Sequence, residues 1–145
     1  MRTTKVVLGL ALVWIGLGCA GMGEVAKQLS GAEVNVSEGT DAKVPANFPL
    51  PAPDGGTVLT VADLGMMGVK TTTVVYTLPG DAALDPIFAK YEEVMTAAGM
   101  TVNKVDSDGN RTVSGNKDKV TWTATTTPQD GKIMLSLVVA DASGM

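Results

Sequence analysis

The C-terminal third of the chain alternates between apolar and hydroxyl-bearing residues, which is the period of a strand with two different faces. Residues 119–127 and 132–140 both follow this pattern, and residues 128–131 between them include the proline, aspartate and glycine that favour a turn. The sequence therefore predicts a hairpin of two long strands. On the first strand, the polar face carries Thr121, Thr123 and Thr125, and the other face carries Val120, Trp122, Ala124 and Thr126.

Apolar residues recur at spacings of three and four between Asp85 and Gly99, which predicts a helix with one buried face. Asp85 followed by Pro86 is typical of an N-cap and the first helical position, and Gly99 is typical of a helix end. Glu92 and Glu93 point about 100° apart on a helix, so they are predicted to be solvated rather than to converge on a substrate. The predicted buried face consists of Ile87, Phe88, Tyr91, Val94, Met95 and Ala98.

Two earlier stretches, 57–61 and 69–78, are rich in β-branched residues and predict a second hairpin. Met66 and Met67 lie at its tip, where exposed methionines would form a soft apolar contact surface unless one of them folds back onto the core. Residues 100–105 predict one further strand, followed by a tight turn at 106–110.

These elements follow the order β-β-α-β-β-β, and the single apolar face of the helix must be buried. We therefore predict an α+β fold, an antiparallel sheet of four to five strands with one helix packed on one face. The domain is expected at residues 47–141, with a fraying tail at 142–145. The proline-rich stretch 44–56 is predicted to be an extended approach in which Phe48 and Leu50 close one end of the core.

Composition excludes several kinds of chemistry. The chain has 145 residues, no histidine and one cysteine, so His-based triads, Cys–His nucleophiles, internal disulfides and metal or haem sites built on His or Cys are excluded. The segment 106–117 begins like a calcium loop, but Arg111 and Lys117 stand where that loop needs glycine and glutamate. No cofactor or metal is therefore expected.

The charge balance is acidic, with 15 acidic against 11 basic residues and a formal net charge of −4. Arg2 and Lys5 both precede residue 19, so the remainder of the chain is more acidic than this total indicates. No basic patch is present to neutralise phosphates. Neither nucleic acid nor an anionic headgroup surface is therefore expected as an electrostatic partner.

The start of the chain has the anatomy of an export signal, because Arg2 and Lys5 precede an apolar run at 6–17 and small residues surround Cys19. This run is shorter than the roughly twenty residues that span a bilayer, which disfavours an uncleaved anchor. An ordinary signal peptidase cutting after Ala20 is the other alternative, and it would release a periplasmic or secreted protein.

The sequence Gly16-Leu17-Gly18-Cys19 resembles the lipobox of bacterial lipoproteins, although Gly16 stands where that motif has an aliphatic residue and the leucine comes one position late. The resemblance implies that residues 1–18 are a signal peptide and that Cys19 carries fatty chains, such as palmitate, as the new N-terminus. Ala20 in place of aspartate implies the outer membrane. Residues 19–46 are small, polar and acidic, and are predicted to be the lipidated N-terminus and a flexible tether.

These features favour an envelope lipoprotein that acts as a non-enzymatic binding or scaffolding module for a protein or polymer of the envelope. A carboxylate-based hydrolase or enzyme accessory, using acids such as Asp63, Asp81 or Glu93, is the alternative. It requires two acids about 5 to 10 Å apart in a concave pocket. A lipid-binding module is a third interpretation, and it requires an open cavity between helix and sheet. Four large side chains are expected to fill that space: Phe88, Tyr91, Met95 and Trp122.

Overall fold

The computed structural model describes residues 32–145. They form an antiparallel sheet of seven strands and one α-helix. In chain order the elements are β1 Ala32–Glu38, β2 Thr57–Met66, β3 Val69–Pro79, α1 Leu84–Ala97, β4 Thr101–Ser107, β5 Asn110–Lys117, β6 Val120–Gln129 and β7 Lys132–Asp141. The predicted signal peptide at 1–18, Cys19 and the predicted tether at 19–31 lie outside the described residues.

The strand order across the sheet is β1-β2-β3-β7-β6-β5-β4, and neighbouring strands are antiparallel throughout. After β3 the helix carries the chain to the far edge of the sheet. From there β4 to β7 return by hairpins until β7 pairs with β3. The prediction of an antiparallel sheet with one helix is confirmed, but the predicted four to five strands and their order β-β-α-β-β-β are wrong.

Two strands, β1 and β5, account for this difference. In β1, which lies within the stretch predicted as a tether, the apolar residues Val34 and Val36 face away from the core, and none of residues 34–38 is fully buried. In β5, Val113 is buried, and the next position on its inner side is Gly115. A Cβ at Gly115 would lie 3.0 Å from Met100 Sδ, so this strand lacks a second apolar residue because the core leaves no room for one.

The core lies between α1 and the inner face of the sheet. The predicted apolar face of the helix is buried at Phe88, Tyr91 and Met95, and its remaining members are half-buried. Each large apolar side chain that is fully buried stabilises the fold by about 1.5–3 kcal/mol. The sheet contributes Val61, Val74, Tyr76, Leu78, Val113, Ala124, Ile133, Leu135 and Leu137.

The two ends of α1 differ in how well the sequence predicted them. The N-cap is Ala83 rather than Asp85, which lies inside the first turn and turns its carboxylate towards Arg111 instead. The predicted helix end is confirmed, because Gly99 adopts φ +75° directly after the helix. Lys117 Nζ donates to the carbonyl oxygen of Ala98 at 2.9 Å, which satisfies one of the free carbonyls of the last turn.

The proline-rich stretch before β2 packs on the core as predicted, with Leu50 buried and Phe48 half-buried. Tyr91 Oη donates to the carbonyl oxygen of Pro51 at 3.1 Å, which ties this stretch to the helix. Residues 32–46, predicted to be part of the tether, instead form β1, a 3₁₀ turn at Gly39–Asp41 and a segment that packs on the core.

The C-terminal tail is held rather than frayed. The amide of Ala142 donates to the carbonyl oxygen of Lys119 at 3.0 Å, and Lys119 Nζ donates to that of Met145 at 2.8 Å. These bonds hold the tail against the turn between β5 and β6, and Gly144 lies against Gly68 in the neighbouring turn between β2 and β3.

Candidate functional site

One face of the sheet is covered by α1 and the proline-rich stretch, and the other face, here called the open face, is not covered by any described residue. The register assigns side chains to it. A row across all seven strands reads Asn103, Ser114, Thr123, Val138, Thr73, Ala62 and Val36. A second row reads Val105, Thr112, Thr125, Ser136, Val75, Thr60 and Glu38.

The open face is almost free of charge. Among the described residues, only Glu38 and Lys132 carry a charge on it, and both lie at strand ends. Protein surfaces ordinarily interleave charges of both signs over about a quarter to a third of their residues. The central part of this face instead consists of hydroxyl, amide and small aliphatic side chains.

Some of its hydroxyls bond to one another across the strands. Thr112 Oγ1 and Thr125 Oγ1 are 3.1 Å apart, and Thr121 Oγ1 donates to Asn116 Oδ1 at 2.9 Å. Within residues 32–145, no side-chain hydrogen bond to a protein group is recorded for Ser114, Thr123, Ser136 or Thr73, the hydroxyls at the centre of the two rows. These central groups are available to bind a ligand.

The open face changes character towards β1. Threonine, serine and asparagine dominate on β4 to β6, whereas β1 and β2 contribute exposed aliphatic side chains. Val36 is 57% exposed, Leu64 43% and Met66 59%. The face therefore grades from hydrogen-bonding to apolar along one direction.

A charged cleft of about 260 Å³ lies on the other side of the sheet, between α1 and the hairpin of β4 and β5. Arg111 lies at its centre, with its guanidinium carbon 5.6 Å from the centroid of the Phe88 ring. Arg111 pairs with Asp85 and, at 3.3 Å, with Asp106, while Lys104 Nζ is 3.2 Å from Glu92 Oε2. Each carboxylate of the cleft is thus bound to a cation.

These ion pairs connect α1 to the edge of the sheet. The hydrogen bond to Asp85 raises the pKa of Arg111, so this residue stays charged at any relevant pH. The cleft is therefore arranged as an electrostatic clamp between α1 and the hairpin of β4 and β5.

The acids that the sequence offered for catalysis are not brought together. Asp63 lies on the covered side of β2 and accepts a hydrogen bond from Thr72 Oγ1 at 2.6 Å. Asp81 is exposed in the loop after β3, and Glu93 is exposed on α1. None of the three lines the charged cleft.

The cleft was not predicted from the sequence, because Asp85 was interpreted as a cap, Glu92 as a solvated residue and Arg111 only as a residue that excludes a calcium loop. A signal was present, since Asp108-Gly109 favours a two-residue hairpin turn. That turn sets Asp106 directly opposite Arg111 in the register of β4 and β5.

The space between α1 and the sheet is filled by large side chains. Phe88, Tyr91 and Met95 are buried, and Trp122 is half-buried against them. Phe88 and Tyr91 meet edge to face, with ring centroids 6.4 Å apart. Burial raises the pKa of the Tyr91 hydroxyl, which keeps it protonated as the donor to Pro51.

In the described part of the chain, no three acidic, histidine or cysteine side chains are grouped so as to hold a metal ion. Over the same residues, no helix has the length and apolarity needed to cross a membrane. Cys19, the predicted lipidation site, lies outside this region.

Comparison of the chain with protein-family models, curated proteins and solved structures gave no match.

Proposed function

We propose that this chain is a lipid-anchored lipoprotein of the bacterial envelope whose domain is a non-enzymatic binding module. The open face is its contact surface, and an envelope protein with a flat, uncharged surface is its partner. The anchor is Cys19, and the lipobox-like sequence before it supports this assignment. The outer membrane is the favoured location, because Ala20 follows the cysteine.

The observation that carries the proposal is the absence of charge from the central part of the open face in a chain with 18% charged residues. Depletion of charged residues is the compositional mark of the buried centre of protein interfaces. Unpaired hydroxyls at Thr73, Thr123 and Ser136 supply hydrogen bonds, and Val75 and Val138 supply apolar contact. Such a mixture suits a neutral partner surface.

The size of the open face is consistent with a modest interface. Strands about 4.8 Å apart and side-chain rows about 7 Å apart give an area on the order of 600 Å². A standard interface takes roughly 800 Å² from each partner, and weaker, transient contacts take less. The expected complex is thus of moderate affinity.

Crosslinking in intact cells tests the contact surface. A photoreactive residue replaces Thr123, at the centre of the open face, or Thr96, which is exposed on α1. We expect a discrete protein adduct from position 123 and none from position 96. An adduct with a glycan polymer would show the alternative partner class, and equal adducts from both positions would contradict the assignment of the surface.

A matched pair of substitutions completes this test. Thr123→Lys places a charge in the neutral centre, whereas Thr96→Lys places the same charge on the helix. Capture of the partner should fall at least about tenfold for the first variant only, because an unpaired charge buried in an interface is strongly unfavourable. Circular dichroism melting of both variants verifies that the fold is kept.

The anchor has its own test, which is mass spectrometry of the mature N-terminus after expression in a bacterial host. A diacylglyceryl group on Cys19 is expected. A chain that begins at Gly21 without lipid would instead identify an ordinary secreted protein.

A hydrolase is the second candidate, because Asp85, Glu92 and Asp106 line one cleft. Its test is the release of soluble fragments from isolated cell-wall polymer. Release by the unmodified protein that is lost in Glu92→Gln and kept in Glu93→Gln would establish this activity in place of the binding module.

A further inference from the structure

The turn between β2 and β3 carries two strongly exposed apolar side chains. Met67 is 84% exposed and Met66 59% exposed. Together with Gly68 they are called the methionine tip. The apolar surface continues from the tip along the open face through Leu64, and Val34 lies opposite Leu64 on β1.

The backbone of the methionine tip makes the choice of methionine unexpected. Met67 has φ 51° and Gly68 φ 82°, the left-handed pair of a two-residue hairpin turn. Two other hairpins of this sheet use the same conformation with Asp108-Gly109 and Asp130-Gly131. Aspartate tolerates this conformation and has a polar side chain that suits an exposed turn. Methionine is disfavoured in this conformation and is apolar. The chain therefore places an apolar residue where both folding and solubility favour a polar one.

The position of the tip indicates what the methionines contact. Residue 32, with which the described part of β1 begins, pairs with Met66, so β1 starts beside the tip and Cys19 precedes this point by thirteen residues. Residues 20–31 span at most about 42 Å when fully extended, and a flexible chain of this length spans about 19 Å. The Asp108-Gly109 and Asp130-Gly131 turns lie at the opposite ends of strands about 30 Å long, whereas the Asp118-Lys119 turn between β5 and β6 lies at the same end of the sheet as the methionine tip.

We propose that the methionine tip is a second membrane contact, which inserts into the headgroup region of the bilayer to which Cys19 is anchored. This inference rests on the lipid anchor of the proposed function. Methionine is flexible and polarisable and adapts to irregular apolar surroundings. Membrane attachment through a lipid chain is strengthened by a second contact with the bilayer. A tip beside the predicted tether can make that contact without any rearrangement of the fold.

The contact is apolar rather than electrostatic, because the chain is acidic overall and the described cations nearest the tip are Lys70, which lies opposite Asp141, and Lys119, whose Nζ donates to the carbonyl oxygen of Met145. Vesicles of zwitterionic phosphatidylcholine are therefore sufficient as the probe surface. Anionic lipid is not expected to strengthen the contact.

The experiment uses the full mature lipoprotein, isolated from a bacterial host and reconstituted into these vesicles. Met67→Cys and the matched turn variant Asp130→Cys each carry an environment-sensitive fluorophore, and the lipid on Cys19 blocks labelling there. Mass spectrometry verifies that lipid first. A quencher attached near the top of the acyl chains should reduce the Met67→Cys signal at least about twofold more than the Asp130→Cys signal, because insertion reaches about 5–10 Å into the interface.

The outcomes separate the two proposals. An unlipidated Cys19 overturns the anchor and this inference together. A lipidated protein whose Met67→Cys label is no more quenched than the Asp130→Cys label overturns this inference alone. The inference is also overturned if the emission of the Met67→Cys label shifts but the lipid-attached quencher does not reduce it. That result would show that the tip is buried against protein, such as a second copy of the chain.

Discussion

At the scale of one residue, the membrane contact proposed for Met67 and the stability of its turn place opposite demands on the side chain. A non-glycine residue in the left-handed conformation costs about 1–2 kcal/mol, and aspartate offsets part of this through local hydrogen bonds. We therefore expect Met67→Asp to raise the free energy of unfolding by about 0.5–1 kcal/mol. Urea denaturation measures the change, with the strand residue Met66→Asp as the comparison. Equal effects of the two substitutions would contradict this account.

Tyr91 gives a residue-scale prediction about pH. Burial raises the pKa of its hydroxyl, with a smaller contribution from Tyr76, whose pKa burial also raises. A raised folded-state pKa means that the folded protein binds the proton more tightly than the unfolded chain. The resulting stability is complete below the unfolded value of 10.0 and is lost as pH rises above it.

Stability should therefore decline above about pH 10 in unmodified protein. Tyr91→Phe is expected to decline less steeply, because one of the two tyrosines is removed. At neutral pH the same variant should lose about 0.5–1.5 kcal/mol, since the hydrogen bond to Pro51 disappears. Urea denaturation from pH 8 to pH 11 measures both effects. Identical alkaline slopes in the two proteins would show that Tyr91 does not hold its proton more tightly when folded.

At the scale of elements, the sequence predicted the pieces that bury a regular apolar pattern. The strands β3, β6 and β7 and the helix α1 were all found this way, because their periodicity reports directly on burial. β1 and β5 were missed for physical reasons. The first directs its valines away from the core, and the second has Gly115 where Met95 and Met100 occupy the space.

The open face was predictable only in part, because its composition depends on which strands lie side by side. The polar side of β6 was visible from the threonines at 121, 123 and 125. Its extension across neighbouring strands depends on the pairing of β7 with β3, which joins residues about sixty positions apart. Local sequence patterns contain no information about such pairing. The neutral face therefore became visible only with the strand order.

The edge strand β1 should be less stable than the central strands β3 and β7. Its residues 34–38 include none that is fully buried, and it has one neighbouring strand. Local opening is easiest where few apolar contacts are lost. Hydrogen exchange followed by mass spectrometry should show amides of β1 exchanging at least about tenfold faster than those of β3 and β7. Equal protection would indicate that another contact, for instance with a partner molecule, holds β1 in place.

At the scale of the whole molecule, the proposed anchor, the proposed membrane contact at the methionine tip and the proposed contact surface on the open face are compatible with one arrangement. With the tip at the membrane, the strands extend away from the bilayer. The plane of the sheet is then parallel to the membrane normal, and the open face is directed sideways. A partner in the same membrane then meets the open face without competing with lipid. The charged cleft lies on the opposite side of the sheet and stabilises the position of α1.

This arrangement predicts how partner binding depends on salt. Contacts between exposed charges weaken as salt shortens the Debye length, whereas apolar contacts and neutral hydrogen bonds change little. Because the central part of the open face carries no charge, partner capture should vary by less than about threefold between 0.05 and 0.5 M salt. Quantitative recovery of the crosslinked adduct from position 123 over this range measures it. A steep decline would indicate that the contact is made by a charged surface instead. The cleft around Arg111 would then be the first alternative, tested by Arg111→Met with the exposed helix variant Lys90→Met as the matched control.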